Sequence, residues 1–349
     1  MNWLSFLRKK PSTSSEEVIP EGDLRRGMHV ESTPKVRIVF MGTPSFAATL
    51  LETMISEKYN VVGVVTKQDK TIGRSQEIAK IPVKEVALKY SLPILQPVKL
   101  DETAIATLSD WKPDLIVVAA YGKILPPSIL SLPGFGCVNV HASLLPRFRG
   151  ASPIQNTLLS GDTETGVTLM LMDEGMDTGD IIAQKKISID ANETKENLLA
   201  RLTEEGKALL RENIPLWVLR KITPTSQDES QATLCQLIER EDGRVIWNES
   251  AKDIYNRYRA LTPWPGIFTF WKKSDGEFLR LKLHRVSLQK QSVQTKYPLG
   301  QVMEIGEKIG VQTGEGVIFL EEVQLEGKNK MPIKEFLLGN DDLLGGQLQ

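Results

Sequence analysis

Residues 36–44 read VRIVFMGTP, and this stretch sets the pattern for the first part of the chain. Residues 36–42 form a run of strand length that is apolar except for Arg37 and ends in a glycine. Pro44 then opens a predicted helix that extends to about Lys58, since proline is tolerated in the first turn of a helix. A short buried strand followed by a helix is the alternation that, when repeated, predicts a parallel sheet covered by helices.

The same alternation continues to about residue 221. Further strands are predicted at 61–66, 113–121, 137–145 and 165–173, and helices at 83–90, 101–109, 126–131, 153–160 and 193–213. On the last helix, Leu198, Leu202 and Leu209 share one face, which predicts packing against the sheet. We therefore predict an α/β fold, a Rossmann-like and mostly parallel sheet with helices on both faces. Its ligand should lie at the carboxyl ends of the strands, where the loops after residues 42, 121, 145 and 173 are expected to gather.

Composition and charge exclude several classes of protein. The 349 residues are 41% hydrophobic and 25% charged, as in ordinary globular proteins. The formal net charge of -1 gives no whole-chain attraction to nucleic acid or membrane, so an anionic partner must meet a local patch. The two cysteines have no paired spacing, which argues against disulfides and fits a cytoplasmic location. No apolar run approaches the roughly 18 residues of a spanning helix, so we predict no membrane insertion.

The chain divides into four predicted segments. Residues 1–34 are polar and mixed in charge, which predicts a disordered N-terminal extension, although MNWLSFLRKK leaves a weak membrane or partner contact open. Residues 35–221 form the α/β domain, and residues 222–234 are polar and turn-rich like a linker. Residues 235–349 contain short strands at regular spacing, which predicts a smaller C-terminal β-barrel of the OB-like type.

The start of this second domain is locally basic. Residues 240–300 contain twelve Lys or Arg and six Asp or Glu, interleaved with tyrosines and tryptophans. Basic residues among aromatics on a barrel are typical of a nucleic-acid surface. A solvated face over an aromatic core explains the same composition, and this feature alone leaves both interpretations open.

Residues 138–146, VNVHASLLP, contain the first candidate for chemistry. In an extended strand Asn139 and His141 project to one side together with Cys137, while the intervening valines project to the other. His141 has three possible roles: a hydrogen-bonded structural histidine, a metal ligand with Cys137, or an electrophile. The metal role lacks a third ligand. As an electrophile, the imidazolium and the Asn139 amide would supply two donors to an oxyanion.

A proton acceptor is available in DEGMDTGD, residues 173–180. This loop follows the predicted strand 165–173, so we expect it near the same sheet edge. Taken singly, its aspartates and glycines are also good turn formers. The spacing does not fit a calcium loop, which needs acidic residues at alternate positions. No glycine-rich nucleotide motif follows the first strand.

Five stretches carry a resemblance to a known family: VRIVFMGTPSFA, PDLIVVAAYGKILP, VNVHASLLPRFRGASPIQ, TGVTLMLMDEGMDTGD and LTPWPG. From about residue 35 to 340 the chain resembles the methionyl-tRNA formyltransferases. The pattern NxHxSLLPxxRG is shared by the wider group of folate-dependent formyltransferases, while MGTP and PWPG narrow the resemblance to the tRNA enzymes. It implies that residues 35–221 are the catalytic domain and residues 235–349 the tRNA-binding domain.

The resemblance also implies site residues, a donor and an acceptor. The donor would be 10-formyltetrahydrofolate, and the acceptor the α-amino group of methionine on initiator tRNA, with no metal. Asn139 and His141 would stabilise the oxyanion, and Asp177 would orient His141 or take the amine proton. The SLLP residues that would contact the folate are Ser143, Leu144, Leu145 and Pro146.

In this family a basic loop after the second strand inserts toward the tRNA acceptor stem. This chain keeps Gly73 and Arg74, so Arg74 is the implied tRNA contact, and it then departs from the basic pattern with SQE at residues 75–77. We expect a monomer that binds folate and methionyl initiator tRNA. Two alternatives stay open: an enzyme that formylates a small nucleotide or sugar amine or hydrolyses formyl-folate, and a non-catalytic RNA-binding protein.

Overall fold

A computed structural model of the chain describes residues 36–72, 77–79, 81–273, 276–288 and 297–349, with the backbone alone at 70–72 and 77–79. The predicted N-terminal extension, residues 1–34, lies outside the described residues. The implied tRNA contact Arg74 also lies outside them.

The first part of the chain alternates strands and helices, as its sequence predicts. In chain order its elements are β1 (Ile38–Gly42), α1 (Ser45–Ser56), β2 (Val61–Val65), β3 (Lys70–Ile72), β4 (Glu77–Ala79), α2 (Pro82–Lys89), β5 (Ile94–Leu95), α3 (Glu102–Asp110), β6 (Leu115–Ala119), α4 (Pro127–Leu130), β7 (Cys137–His141), β8 (Arg149–Gly150), α5 (Pro153–Leu159), β9 (Glu164–Leu171), β10 (Ile181–Ser188) and α6 (Lys195–Val218).

Seven of these strands form one sheet in the order β10-β9-β7-β6-β1-β2-β5. The five strands from β7 to β5 are parallel to their neighbours, and β9 and β10 add an antiparallel pair at one edge. The predicted mostly parallel α/β sheet is therefore confirmed. The strand predicted at 137–145 is too long, because the chain turns after His141, where the Ser143 hydroxyl donates to the Arg147 carbonyl at 2.7 Å.

Helices cover both faces of the sheet, as predicted. On one face α1 and α6 pack against the even positions of β7, and the predicted stripe of Leu198, Leu202 and Leu209 on α6 is buried. On the other face Leu108 of α3 and Ile129 of α4 pack against β1 and β6. Burying each of these side chains contributes about 1.5–3 kcal/mol, so the two apolar layers hold the strand ends in register.

Helix α6 ends at Val218, five residues beyond the predicted end near residue 213. Pro215 lies within its last turns and removes one backbone hydrogen bond there. The helix continues because Ile214 and Val218 are buried and the Trp217 indole donates to the Phe135 carbonyl at 2.9 Å. Tertiary packing thus outweighs the local cost of the proline.

The second part of the chain is built mainly from antiparallel strands. Its elements are β11 (Leu234–Cys235), α7 (Ala251–Leu261), β12 (Ile267–Lys272), β13 (Phe278–Leu288), β14 (Val302–Ile305), β15 (Lys308–Gln312), β16 (Val317–Leu325), β17 (Met331–Pro332) and α8 (Ile333–Leu337), with 3₁₀ turns at Glu229–Gln231, Glu241–Gly243 and Asp341–Leu343. Strands β12 to β17 form one sheet in the order β12-β13-β16-β15-β14, with β17 added on β16.

Residues 345–349 close this sheet into a barrel. Gln349 exchanges two backbone hydrogen bonds with Phe270 of β12, at 2.8 and 3.0 Å. Four residues earlier, the Gly345 amide donates to the Val302 carbonyl of β14 at 2.9 Å, and Leu348 donates to Gly300 at 2.8 Å. The segment therefore bridges the two edge strands. The predicted C-terminal barrel of antiparallel strands is confirmed.

Two further findings bear on the sequence-based expectations. Among the described residues, none of the helices combines the length and apolar character needed to cross a membrane. Cys137 and Cys235 are both buried free thiols, in agreement with the absence of paired spacing.

Candidate active site and basic cleft

The odd and even residues of β7 face different surroundings. Val138 and Val140 are buried in the apolar layer under α1 and α6. Asn139 and His141 project to the opposite face with Cys137, and they are 8% and 6% exposed. The predicted pairing of an amide and an imidazole on one face of this strand is therefore what the structure has.

Cys137 lies at the other end of the strand and takes no part in the site. Its thiol donates to the Ile129 carbonyl of α4 at 3.6 Å, and burial raises its pKa to about 12. The thiol is therefore engaged with α4 and not with His141. Within the described ranges there is no group of three or more His, Cys, Asp or Glu side chains placed to hold a metal ion.

Asp177 is the third polar side chain of the site. Its Oδ1 accepts a hydrogen bond from the Asn139 amide at 3.3 Å, and its Oδ2 lies 3.6 Å from His141 Nδ1. Oδ2 also accepts from the backbone amide of Gly150 at 2.8 Å. The Asp177 side chain is 16% exposed, more than either partner. The carboxylate is thus anchored from three sides and still reachable from solvent.

The ring orientation of His141 is fixed by a backbone carbonyl. His141 Nε2 lies 2.9 Å from the Phe148 oxygen, and because a carbonyl can only accept, Nε2 must carry a proton. Nδ1 is therefore the nitrogen that faces Asp177. As an imidazolium, His141 would present a second N–H toward the Asp177 side of the site, with a carboxylate close enough to stabilise the charge.

Asp177 reaches this site by a different route from the one expected. Strand β9 runs antiparallel to β7, with Leu171 paired with Val138 and Thr168 paired with His141. The loop after β9 therefore starts at the amino end of β7, and the expectation that it follows the same sheet edge was wrong. The loop folds back along the face of β7, with Asp177 in the left-handed region at φ 55°.

The SLLP turn after β7 is held by a small polar network. Thr168 Oγ1 donates to the Ser143 carbonyl at 2.6 Å and accepts from the Leu145 amide at 3.1 Å. Gln184 of β10 donates to the Leu145 carbonyl at 2.7 Å. Leu145 itself is buried, whereas Leu144 and Pro146 are half-buried. The turn therefore offers two partly accessible apolar side chains next to the candidate site.

Residues of the segment predicted as a linker also contact the site. Gln227 donates from Nε2 to the carbonyls of Asp177 and Gly179, both at 2.8 Å. Its Oε1 accepts from Arg149, which is itself paired with Glu229. Sequence patterns missed these residues, because a polar segment without periodicity carries no signal for a partner 50 residues away.

A basic cleft of about 310 Å³ lies in the C-terminal domain. It is lined by Arg240, Trp264, Pro265, Arg280, Lys282, Gln324, Glu326 and Gly327. The guanidinium of Arg280 stacks 3.6 Å from the centroid of the Phe268 ring, and its buried Nε has no hydrogen-bond partner within the part of the chain that the structure describes. Trp264 of the PWPG motif is 54% exposed. The cleft therefore combines concentrated positive charge with an accessible aromatic surface.

Comparisons with known proteins give the family to which both parts of the chain are similar. The family model described as formyl transferase matches residues 36–214, and that for the formyl transferase C-terminal domain matches residues 237–341. A methionyl-tRNA formyltransferase of Caldicellulosiruptor saccharolyticus is 45% identical over 306 residues, 86% of this chain and 96% of the relative. That of Geobacter sulfurreducens is 41% identical, covering 87% and 94%. An N-formyltransferase from Helicobacter canadensis, solved with folinic acid and dTDP-3-aminofucose, has the same fold with a TM-score of 0.60 at 18% identity, covering 82% and 98%.

Proposed function

This chain belongs to the family of methionyl-tRNA formyltransferases and is a formyl-transferring enzyme, and we propose that it transfers the formyl group of 10-formyltetrahydrofolate to the α-amino group of methionine on initiator tRNA. The observation that carries the proposal is the convergence of an amide, an imidazole and a carboxylate, from Asn139, His141 and Asp177. A non-catalytic RNA-binding protein has no use for this arrangement. The product would start translation in the cytoplasm.

The reaction begins with direct attack of the amine on the formyl carbon. An α-amino group has a pKa of about 7.7–8.0, so a useful fraction is neutral near pH 7. Two problems remain for the protein to solve. Negative charge develops on the formyl oxygen, and the attacking nitrogen carries an excess proton. The tetrahedral intermediate would then collapse with cleavage of the bond between the formyl carbon and N10, and N10 of the departing tetrahydrofolate would take up the proton that the amine gives away.

Asn139 and His141 would stabilise the oxyanion. One hydrogen of the Asn139 amide is directed to Asp177, which leaves the second free to donate to the formyl oxygen. His141 Nε2 is already bound to the Phe148 carbonyl, so the donation would come from Nδ1 of the imidazolium. Losing one such donor typically lowers the rate by about 10²–10³-fold.

Asp177 would take the proton of the attacking amine, directly or through water, and would stabilise the charged imidazole of His141. Its greater exposure, 16% for the side chain, makes it the group of the three that an incoming amine can reach most easily. The backbone amide of Gly150 holds one carboxylate oxygen in place. The other oxygen faces the Asn139 amide.

The donor would lie against the SLLP turn and the 118–126 segment. Leu144 and Pro146 offer apolar contact for the folate, while Ser143 and Leu145 hold the shape of the turn through their own hydrogen bonds. The folinic acid bound to the Helicobacter canadensis N-formyltransferase supports a folate-type donor.

The acceptor tRNA would be held by the basic cleft of the C-terminal domain. Among the described residues no carboxylate forms an ion pair with Arg240, Arg280 or Lys282. Glu326 is the one acidic residue in the lining of the cleft. When unpaired cations of a protein bind phosphates, they displace the counterions that are condensed on the nucleic acid. Binding is therefore strongly dependent on the salt concentration. Arg74 remains a proposed second contact on the strength of the family resemblance.

The substrate is tested by offering the purified protein 10-formyltetrahydrofolate with either methionyl initiator tRNA or glycinamide ribonucleotide. We expect formyl transfer to the tRNA and none above background to the small amine. Formylation of glycinamide ribonucleotide without transfer to tRNA would reject the proposed acceptor. Consumption of the donor with neither acceptor formylated would indicate a hydrolase instead.

A further inference from the structure

The segment predicted to connect the two domains, residues 222–234, contacts the backbone that holds the candidate catalytic side chains. We propose that Gln227 in this segment is a positioning residue, which fixes the backbone of Asp177 so that its carboxylate stays against Asn139 and His141. This inference rests on the proposed function, because it assigns Gln227 a part in formyl transfer. It goes beyond that function because it makes the position of Asp177 depend on the segment that connects the two domains.

The Gln227 side chain uses its full capacity for hydrogen bonds. Its amide has two donor hydrogens and an oxygen with two lone pairs. Nε2 donates to the Asp177 and Gly179 carbonyls at 2.8 Å each, and Oε1 accepts from Arg149 Nε and Nη2 at 3.0 and 2.9 Å. Gln227 therefore joins the loop of the catalytic carboxylate to Arg149, whose neighbour Gly150 binds that carboxylate.

The loop that carries Asp177 needs such support. Asp177 has a φ of 55°, in the left-handed region that costs a residue with a side chain on the order of 1–3 kcal/mol. Two residues later the chain passes so close to β9 that a Cβ on Gly179 would lie 1.8 Å from the Leu171 carbonyl oxygen. The two carbonyls held by Gln227 belong to these two residues. Without the amide, the loop can relax and withdraw the carboxylate.

The same segment also fixes the residues that hold His141. The Thr233 hydroxyl accepts a hydrogen bond from the Phe148 amide, and the Thr233 carbonyl accepts one from the Arg149 amide, both at 2.8 Å. The Phe148 carbonyl then binds His141 Nε2 at 2.9 Å and accepts from the Cys235 thiol at 3.4 Å. Residues 227–235 thus support both sides of the proposed catalytic group.

The experiment compares Gln227→Glu and Gln227→Ala with the control Gln231→Ala. A glutamate at 227 still accepts from Arg149 but cannot donate to the two loop carbonyls, so it separates positioning of Asp177 from packing around Arg149. Gln231 lies in the same segment, and among the described residues its side chain donates only to Asp228. For Gln227→Glu we expect kcat to fall on the order of 100-fold, as for a reacting group misplaced by about 1 Å. KM for the donor and for the tRNA should stay within about threefold, because no binding contact is removed.

A second readout is independent of turnover. In a crystal structure of Gln227→Glu, Asp177 Oδ2 should lie well beyond the 2.8 Å that separates it from the Gly150 amide here. Gln227→Glu with wild-type kcat, or with Asp177 in its original place, would overturn the proposal. A wild-type protein that fails to formylate methionyl tRNA would instead overturn the proposed function, and the crystal structure of the variant would still decide whether Gln227 positions Asp177.

Discussion

The candidate active site and the basic cleft differ in how their polar groups are satisfied. At the active site both carboxylate oxygens of Asp177 accept hydrogen bonds from within the protein, and the His141 ring is fixed by the Phe148 carbonyl. In the cleft, Arg280 has a buried Nε with no acceptor and Lys282 has no ion-pair partner among the described residues. A preorganised site is what stabilisation of developing charge requires. Unpaired cations are what a polyanion requires, since the ligand supplies the missing charge. The difference predicts that mutations in the two regions affect different steps.

The largest effect is expected at the active site. His141→Ala and Asn139→Ala should each lower kcat by about 10²–10³-fold, because each removes a donor to the oxyanion. The dissociation constant for methionyl initiator tRNA should not change, because neither side chain lies in the cleft. Single-turnover transfer rates and equilibrium tRNA binding measure the two quantities separately.

His284→Ala is the matched control for the histidine variant. His284 lies on β13 and its ring contacts the Gln324 side chain at 2.7 Å, so its loss should leave the transfer rate near that of the wild type. If the His141→Ala protein transfers formyl groups as fast as the His284→Ala protein, His141 has no part in the mechanism. The two regions would then not differ in their effect on the transfer rate.

A smaller but still large effect is expected where β11 pairs with β8. Gly150 has a φ of 119°, and a Cβ there would lie 2.4 Å from the Cys235 carbonyl oxygen. Gly150→Ala should therefore lower the free energy of unfolding by about 2–4 kcal/mol, through backbone strain and steric overlap. Chemical denaturation measures this change.

Gly134→Ala serves as the comparison, because a Cβ at Gly134 would meet no atom within 4 Å and its backbone has no positive φ. It should change the stability by less than about 0.5 kcal/mol. Equal stabilities for the two variants would show that the close approach of β11 to Gly150 is not required for folding.

The smallest effect is expected in the cleft, where charge is shared among several side chains. Arg280→Gln should weaken tRNA binding about tenfold and reduce the slope of log K against log salt by about 0.9, the loss of one phosphate contact. The transfer rate at saturating tRNA should be unchanged. Fluorescence titrations between low and moderate salt measure the affinity and the slope together.

Arg285→Gln is the control for charge alone. Arg285 lies on the same strand and is paired with Glu321 at 2.8 Å, so its replacement removes a cation whose charge is already compensated. If Arg285→Gln and Arg280→Gln weaken tRNA binding equally, the cleft has no special role and the tRNA responds only to the overall charge of the domain.

The amino-acid sequence predicts local features of this molecule better than distant ones. The alternation of valines with Asn139 and His141 predicts a shared polar face, because a strand repeats every two residues. The path of Asp177 was not predictable in the same way, since the direction of β9 depends on pairing with β7. Gln227 lies in a polar segment without periodicity, and only the folded chain brings it to the carbonyl of Asp177. The placement of Asn139, His141 and Asp177 is observed, while their roles stay predictions.

The structure of the protein with a non-reactive analogue of 10-formyltetrahydrofolate would test the central claim most directly. The formyl oxygen is predicted to lie within about 3.2 Å of both Asn139 Nδ2 and His141 Nδ1, with Asp177 beside the path of the amine. An analogue that fits the electron density with its formyl group directed away from all three side chains would contradict the account.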